Sequence, residues 1–198
     1  MKDAYPQNTR EAILDATDRL LARYGYKKMT IDDLAHEVGI GKGSVYLHFS
    51  SKEEIALSHV DRIIERLKTR LRAIASKDTT AADRLQEMLV ERVTYRFDSV
   101  QHYSQSLNEM LANIRAKLIE RRQRYLAQEA KIFASVVEDG QRLGEFRGND
   151  PADLARTLLS ATNSLLPYSL SVSELGNRED VSDRAAKTAR LLISGLTS

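Results

Sequence analysis

The chain has no cysteine and no tryptophan, and only three prolines and nine glycines in 198 residues. Without cysteine there is no disulfide, no zinc–thiolate site and no thiol nucleophile. No apolar run is long enough to span a bilayer, and no signal-peptide core opens the sequence, so a cytoplasmic protein is expected. Neither sign of charge dominates: 30 basic residues face 28 acidic ones, a formal net charge of +2. Any attraction for a polyanion must therefore be local. The four histidines, His36, His48, His59 and His102, show no metal-ligand spacing with carboxylates. His59 and Asp61 are too close in sequence to share a helix face. There is no glycine-rich phosphate loop and no nucleophile motif. No enzyme, no metal site and no cofactor is expected.

Scarce proline and glycine, and no strand-like alternation, point to an all-α chain. The most informative stretch is residues 30 to 52. Thr30 with Asp33 three residues on forms a reciprocal helix start. Leu34, Ala35 and Val38 recur at one-turn spacing. Gly39 can take positive φ, so the chain can turn sharply there. Ile40, Val45 and Phe49 can face inward, and Ser51 with Glu54 starts the next helix. The second short helix has almost no acid and offers Lys42, Gly43, Ser44, Tyr46 and His48 outward. A steep pair of helices with such a face suits insertion into the major groove of DNA. Lys42 supplies charge, Gly43 permits close backbone approach, Ser44 brings a small hydroxyl, and Tyr46 and His48 can donate to phosphates. Lys27 and Lys28 sit just upstream, and Lys52 lies in the first turn of the following helix, where a phosphate would suit both charge and helix dipole.

Residues 10 to 60 resemble the DNA-binding domain of the tetracycline-repressor (TetR) family of bacterial transcription regulators. The resemblance lies in Ile13-Leu14-Asp15-Ala16, Tyr24-Gly25-Tyr26, Thr30-Ile31, Leu34-Ala35, Val38-Gly39-Ile40, Lys42-Gly43-Ser44-Val45-Tyr46, His48-Phe49 and Ser51-Lys52-Glu53-Glu54-Ile55. It implies a homodimeric repressor released from its operator by a small ligand. It also implies DNA contacts from Lys42, Ser44, Tyr46 and His48, with Thr30 and Lys52 on flanking phosphates. Two positions depart from the pattern: Gly41 stands where many members carry Ser or Thr, and Leu47 where many carry a polar or aromatic residue. A leucine there can touch a thymine methyl or pack sideways, which shifts base reading toward Lys42 and Ser44.

The remainder reads as helices. The first is expected from about Thr9 to Tyr24, with Tyr24 on its apolar face. One from Ser51 carries Ile55, Val60, Ile63, Leu67 and Leu71. Another follows from about Ala81 to Val100. Leu107, Met110, Ile114 and Leu118 mark one helix, and Leu126, Ala130, Phe133 and Val137 a separate, longer one. Asp150-Pro151 is a strong helix start. Pro167 should kink or end that helix. Leu170 to Val181 reads as a loop. The expected organisation is a helix-turn-helix head over residues 1–50 and a helical ligand-binding and dimerisation domain over 51–198.

Leu158, Leu165, Leu166, Ala189, Leu192 and Leu196 are candidates for a four-helix dimer bundle, or for closure of the monomer core. A pocket for a small-molecule inducer would draw on Arg92, Tyr95, Arg96, His102, Tyr103, Tyr125 and Phe133. For Arg92 and Arg96 the simpler expectation is packed stems with heads in water, and for Met110 and Phe133 a place in the core. Besides a ligand-released repressor, two readings stay open: a ligand-independent DNA-binding activator or architectural protein, and a helical adaptor or enzyme that kept the head but lost DNA binding.

Overall fold

The computed structural model describes residues 6–148, 150–167 and 176–197. Among them the chain forms α1 (Pro6–Lys28), α2 (Ile31–Val38), α3 (Lys42–His48), α4 (Lys52–Ala75), α5 (Ala81–Val100), α6 (Ser104–Arg142), α7 (Pro151–Thr162) and α8 (Arg178–Ser194). Single 3-10 turns at Gln101–Tyr103 and Asn163–Leu165 follow α5 and α7.

The helix starts are local chemistry. Thr30 Oγ1 accepts from the Asp33 N–H at 3.1 Å, and the Asp33 carboxylate accepts from the Thr30 N–H at 2.9 Å, a complete capping box. The Thr30 hydroxyl, which donates to the same carboxylate, and then the Thr30 N–H hold the Asp33 carboxyl below the usual carboxylate range. Ser51 Oγ accepts from the Glu54 N–H at 3.2 Å, Asp150 caps α7 ahead of Pro151, and Asn177 caps α8. The α2–α3 turn closes at Gly39, at φ 74°, ψ 32°. From there the Ile40 N–H reaches back to the Ala35 carbonyl at 2.9 Å. A side chain at Gly39 would be strained in this left-handed conformation.

Several expectations need correcting. Regular helix ends at Gly25 (φ 75°), as the sequence indicates, but one more turn follows to Lys28. The reversal there exposes Tyr24, at 46%, and buries Tyr26 in its place. The two helices expected over Leu107–Leu118 and Leu126–Val137 are one unbroken helix, α6. No proline or glycine interrupts residues 104–139, and the intervening Glu120-Arg121-Arg122-Gln123-Arg124 are good helix formers, so the helix runs on through them with its inward line continuing at 114, 118, 121, 125 and 129. Of the loop expected over Leu170–Val181, residues 170–175 lie outside the described residues. Residues 178–181 are helical, because Asn177 starts α8 earlier. α7 ends at Thr162, ahead of Pro167.

The chain divides into two compact units: one holds the residues through Arg62 with Gln101–Leu118, the other Ile63–Val100 with Ile119–Ser198. These bounds differ from a division at residue 50. The first unit keeps the start of α4 and takes in a later segment. Its interior is made by Ile13, Leu14, Leu21, Leu34, Val45 and Ile55. Arg62 donates to the Leu14 carbonyl at 2.8 Å and pairs with Asp15 at 2.6 Å, fixing α4 against α1. In the second unit Leu67, Leu71, Met88, Leu89, Phe133, Val137, Leu158 and Ile193 share one core. Met110 and Phe133 are both buried, as expected. Three of the proposed dimer residues, Leu158, Leu166 and Ala189, are enclosed in their own protomer. Leu158 and Ala189 lie on the inner stripes of α7 and α8, and Leu166, just after the 3-10 turn, packs with Val93 and Phe97 of α5.

Candidate nucleic-acid interface

α3 is held by a single turn of apolar anchors. Val45 is fully buried and Phe49, just past the helix, nearly so. Phe49 also lies under the Arg10 guanidinium, 5.0 Å from the ring centroid. At about 100° per residue, the line opposite Val45 falls between Gly43 and Leu47. Those two residues form the crest of α3. Lys42 and Tyr46 lie on one flank, and Ser44 and His48, both partly buried, on the other. Leu47 is 85% exposed, the most exposed of the large hydrophobic side chains described, and Tyr46 is 49% exposed. No acid stands between Lys42 and Lys52.

The cations around this face are already engaged in different ways. Lys42 Nζ sits 2.8 Å from the Asp32 carboxylate, both ends in solvent, and Asp32 holds the ammonium above the ordinary lysine value. Such an exposed pair contributes little to stability and breaks readily for a better anion. Lys52 folds back: its ammonium lies 4.4 Å over the Tyr26 ring and donates to the Lys27 carbonyl at 3.3 Å. Burial holds its pKa below the usual value. Burial also pushes the Tyr26 hydroxyl up to about 12, with Glu53's charge adding to the effect. The Thr30 hydroxyl is exposed but spent on Asp33, to which it also donates at 2.7 Å. The α3 N-terminus at Gly41 has no side-chain cap. Asp32, Tyr26 and the crest position of Leu47 were not singled out from sequence. An acid in the first turn of α2 with a lysine opening α3, and an unshielded leucine opposite a buried valine, are the available signals.

The seven pocket candidates are divided between the two units. His102 and Tyr103 belong to the first unit and the other five to the second. Tyr103 is buried and its hydroxyl meets His59 Nε2 at 2.9 Å, while exposed His102 helps line a cleft of about 550 Å³ with Tyr24, Lys27 and Lys28. In the second unit Tyr95 stacks on the Arg70 guanidinium at 4.8 Å, Tyr125 is buried, and Phe133 is core.

The expectation that the Arg92 and Arg96 heads reach water is overturned. Arg92 is fully buried and Arg96 nearly so, because both guanidiniums close on Glu129, itself fully buried. Arg92 Nε donates to Glu129 at 2.8 Å, Nη1 to Thr162 Oγ1 at 2.9 Å, and Nη2 to Asn163 Oδ1 at 2.7 Å. Arg96 Nη2 donates to the other Glu129 oxygen. Burial, with Arg96's charge adding to it, lowers the Arg92 pKa to about 10, still charged at neutral pH. Burial alone would raise Glu129, but the two guanidiniums outweigh it and hold the carboxyl below the usual range. Two arginines one turn apart inside an apolar stripe signal a buried acid partner. Sequence did not say which acid.

Among the described residues no helix is long and apolar enough to cross a membrane, and no group of side chains could hold a metal ion. The family model described as bacterial regulatory proteins, tetR family, matches residues 13–58. A tetracyclin repressor-like C-terminal domain matches residues 81–183. The chain is 27% identical to the HTH-type transcriptional repressor KstR2 of Mycobacterium tuberculosis over 156 residues, 77% of this chain and 76% of that one. It is 38% identical over 84 residues to an HTH-type transcriptional regulator in the lacX 3′ region of Lactococcus lactis. That match spans 42% of this chain and less than half, 43%, of the relative. The structure of the regulator FadR from Bacillus subtilis in complex with stearoyl-CoA shares the fold, with a TM-score of 0.70 at 17% identity, covering 93% of this chain and 98% of that one.

Proposed function

The chain belongs to the TetR family of bacterial regulatory proteins, and from that premise we propose that it is a dimeric transcriptional repressor that leaves a palindromic operator when a small ligand binds. The observation that carries the DNA-binding part is α3 itself: an acid-free ridge, anchored underneath by Val45 and Phe49, with its crest bare to solvent. Phosphate contacts are assigned to the flanks of that ridge, to Lys42 and Tyr46 on one side and Ser44 and His48 on the other, with Thr30 and Lys52 beyond. Gly43 and Leu47 face the base edges.

Two copies are needed because one short helix holds DNA mainly through salt-sensitive phosphate contacts. Two recognition helices about 34–36 Å apart read both halves of a palindrome. The dimer surface is assigned to α7 and α8. With Leu158, Leu166 and Ala189 enclosed, it rests on residues left available: Leu191, 76% exposed, and partly buried Leu165, Leu192 and Leu196. Ligand response is supported by relatives of the same fold, FadR being solved with stearoyl-CoA. A coupling of about 1–3 kcal/mol between sites changes affinity about 5–150-fold, enough for a switch. The ligand site is assigned to the second unit, where the buried Arg92–Glu129–Arg96 cluster by itself carries one net positive charge.

The test is a fluorescence-polarisation titration of the purified protein on the promoter region upstream of its own gene, at physiological salt. Specific binding is expected, with Tyr46→Ala and Lys52→Ala each weakening it several-fold, and Lys52→Ala alone, which removes a charge, flattening its salt dependence. Equal affinity of both variants and parent would remove α3 from the interface.

A further inference from the structure

The crest of α3 carries a Gly and a Leu, and neither can form a side-chain hydrogen bond with a base. The residues with donors lie down the flanks, where a helix seated in a groove meets the sugar–phosphate walls. Leu47 does not pack sideways against the protein, since 85% of it is open to water. Gly43 is not demanded by the fold either. A Cβ there would meet nothing within 4 Å, and its φ is not in the left-handed region. Both residues therefore answer to something outside the chain. A major groove presents one apolar group, the 5-methyl of thymine. Glycine one turn before the leucine lets the backbone come close enough for a side chain of leucine length to reach it.

Resting on the DNA-binding reading above, we propose that Leu47 is the specificity-determining residue of α3 and that it reads a thymine methyl at one fixed position in each operator half-site. The contact is apolar and close-packed, so it discriminates by the methyl group and not by hydrogen-bond pattern. Lys42 and Ser44 then set register and affinity more than sequence.

The experiment selects binding sites from random duplex DNA with the full-length protein, then replaces each conserved thymine by deoxyuridine, which removes the methyl and keeps base pairing. One thymine position per half-site is expected to lose about fourfold in affinity on replacement, the worth of one buried methyl group, and about fifteenfold when both half-sites are changed. In Leu47→Ala, whose fold is undisturbed because the side chain touches little, the thymine and deoxyuridine duplexes are expected to bind equally. Tight binding by the parent with no thymine distinguished from deoxyuridine overturns the assignment to Leu47 while leaving the DNA-binding reading intact. Unchanged discrimination in Leu47→Ala does the same. Failure of the parent to select any sequence overturns both.

Discussion

Glu129 sits between two buried guanidiniums and is itself shut off from bulk solvent. In Glu129→Gln the volume is kept and the charge is lost. The amide oxygen can still accept from one arginine, but its NH₂ then points a donor at the other. Arg92 and Arg96 are left as two buried cations with no counter-charge, and their mutual repulsion is no longer screened. Breaking a buried pair from one side costs about 3–5 kcal/mol, which for a chain of this size lowers Tm by roughly 6–20 °C. The pH dependence has a definite sign. The folded-state pKa of Glu129 lies below its ordinary value of 4.5, so the carboxylate's contribution is fully present above that value. It is lost as pH falls through the lower folded-state pKa. The gap between parent and variant should therefore be widest at pH 7 and close toward pH 3. Urea denaturation followed by circular dichroism at a series of pH values measures it. Replacing all three together, Arg92→Met, Arg96→Met and Glu129→Leu, should cost far less than the single change, because the removed charges no longer need each other. A single-variant loss under about 1 kcal/mol at pH 7 would refute the reasoning.

The Tyr26 hydroxyl is buried and makes no hydrogen bond among the described residues. Tyr26→Phe should thus leave stability unchanged or raise it by about 1 kcal/mol, with the ring still available to the Lys52 ammonium; a loss in thermal denaturation would show that the hydroxyl has a partner. Leu191→Asp should turn the protein monomeric in sedimentation equilibrium and abolish specific DNA binding, while circular dichroism stays unchanged, since the side chain is 76% exposed within the protomer. A dimer that persists would move the interface off this face of α8. Gly43→Ala should stabilise the chain by about 0.5–1 kcal/mol in denaturant titration, because alanine suits a helix better and has room here. The same variant should bind operator DNA more weakly, and unchanged binding would mean that the backbone stands off the bases.

The helix-turn-helix was legible because its determinants are short-range. The Thr30–Asp33 box, the Gly39 reversal and the Ser51 cap each act within a few residues. The family resemblance of residues 10 to 60 adds positions to the same local code. Where the reading erred, the cause was medium-range. The polar run Glu120–Arg124 reads as a break between two apolar groups, yet nothing chemical stops α6 there. The Asn177 cap was hidden inside a stretch that is polar overall. Tyr24 and Tyr26 exchange places because the backbone turns at Gly25, which composition records but helical periodicity cannot follow.

By itself the sequence determined an all-α regulator with a helix-turn-helix closed at Gly39, since capping, turn chemistry and residue spacing are written in neighbours along the chain. Only the tertiary structure decided which acid answers Arg92 and Arg96, which leucines a protomer keeps for itself, and how fully Leu47 is left open to solvent. Those outcomes depend on which surfaces meet after helices far apart in sequence have packed. The energy of burying a charge or baring a leucine is set there and not by any local pattern.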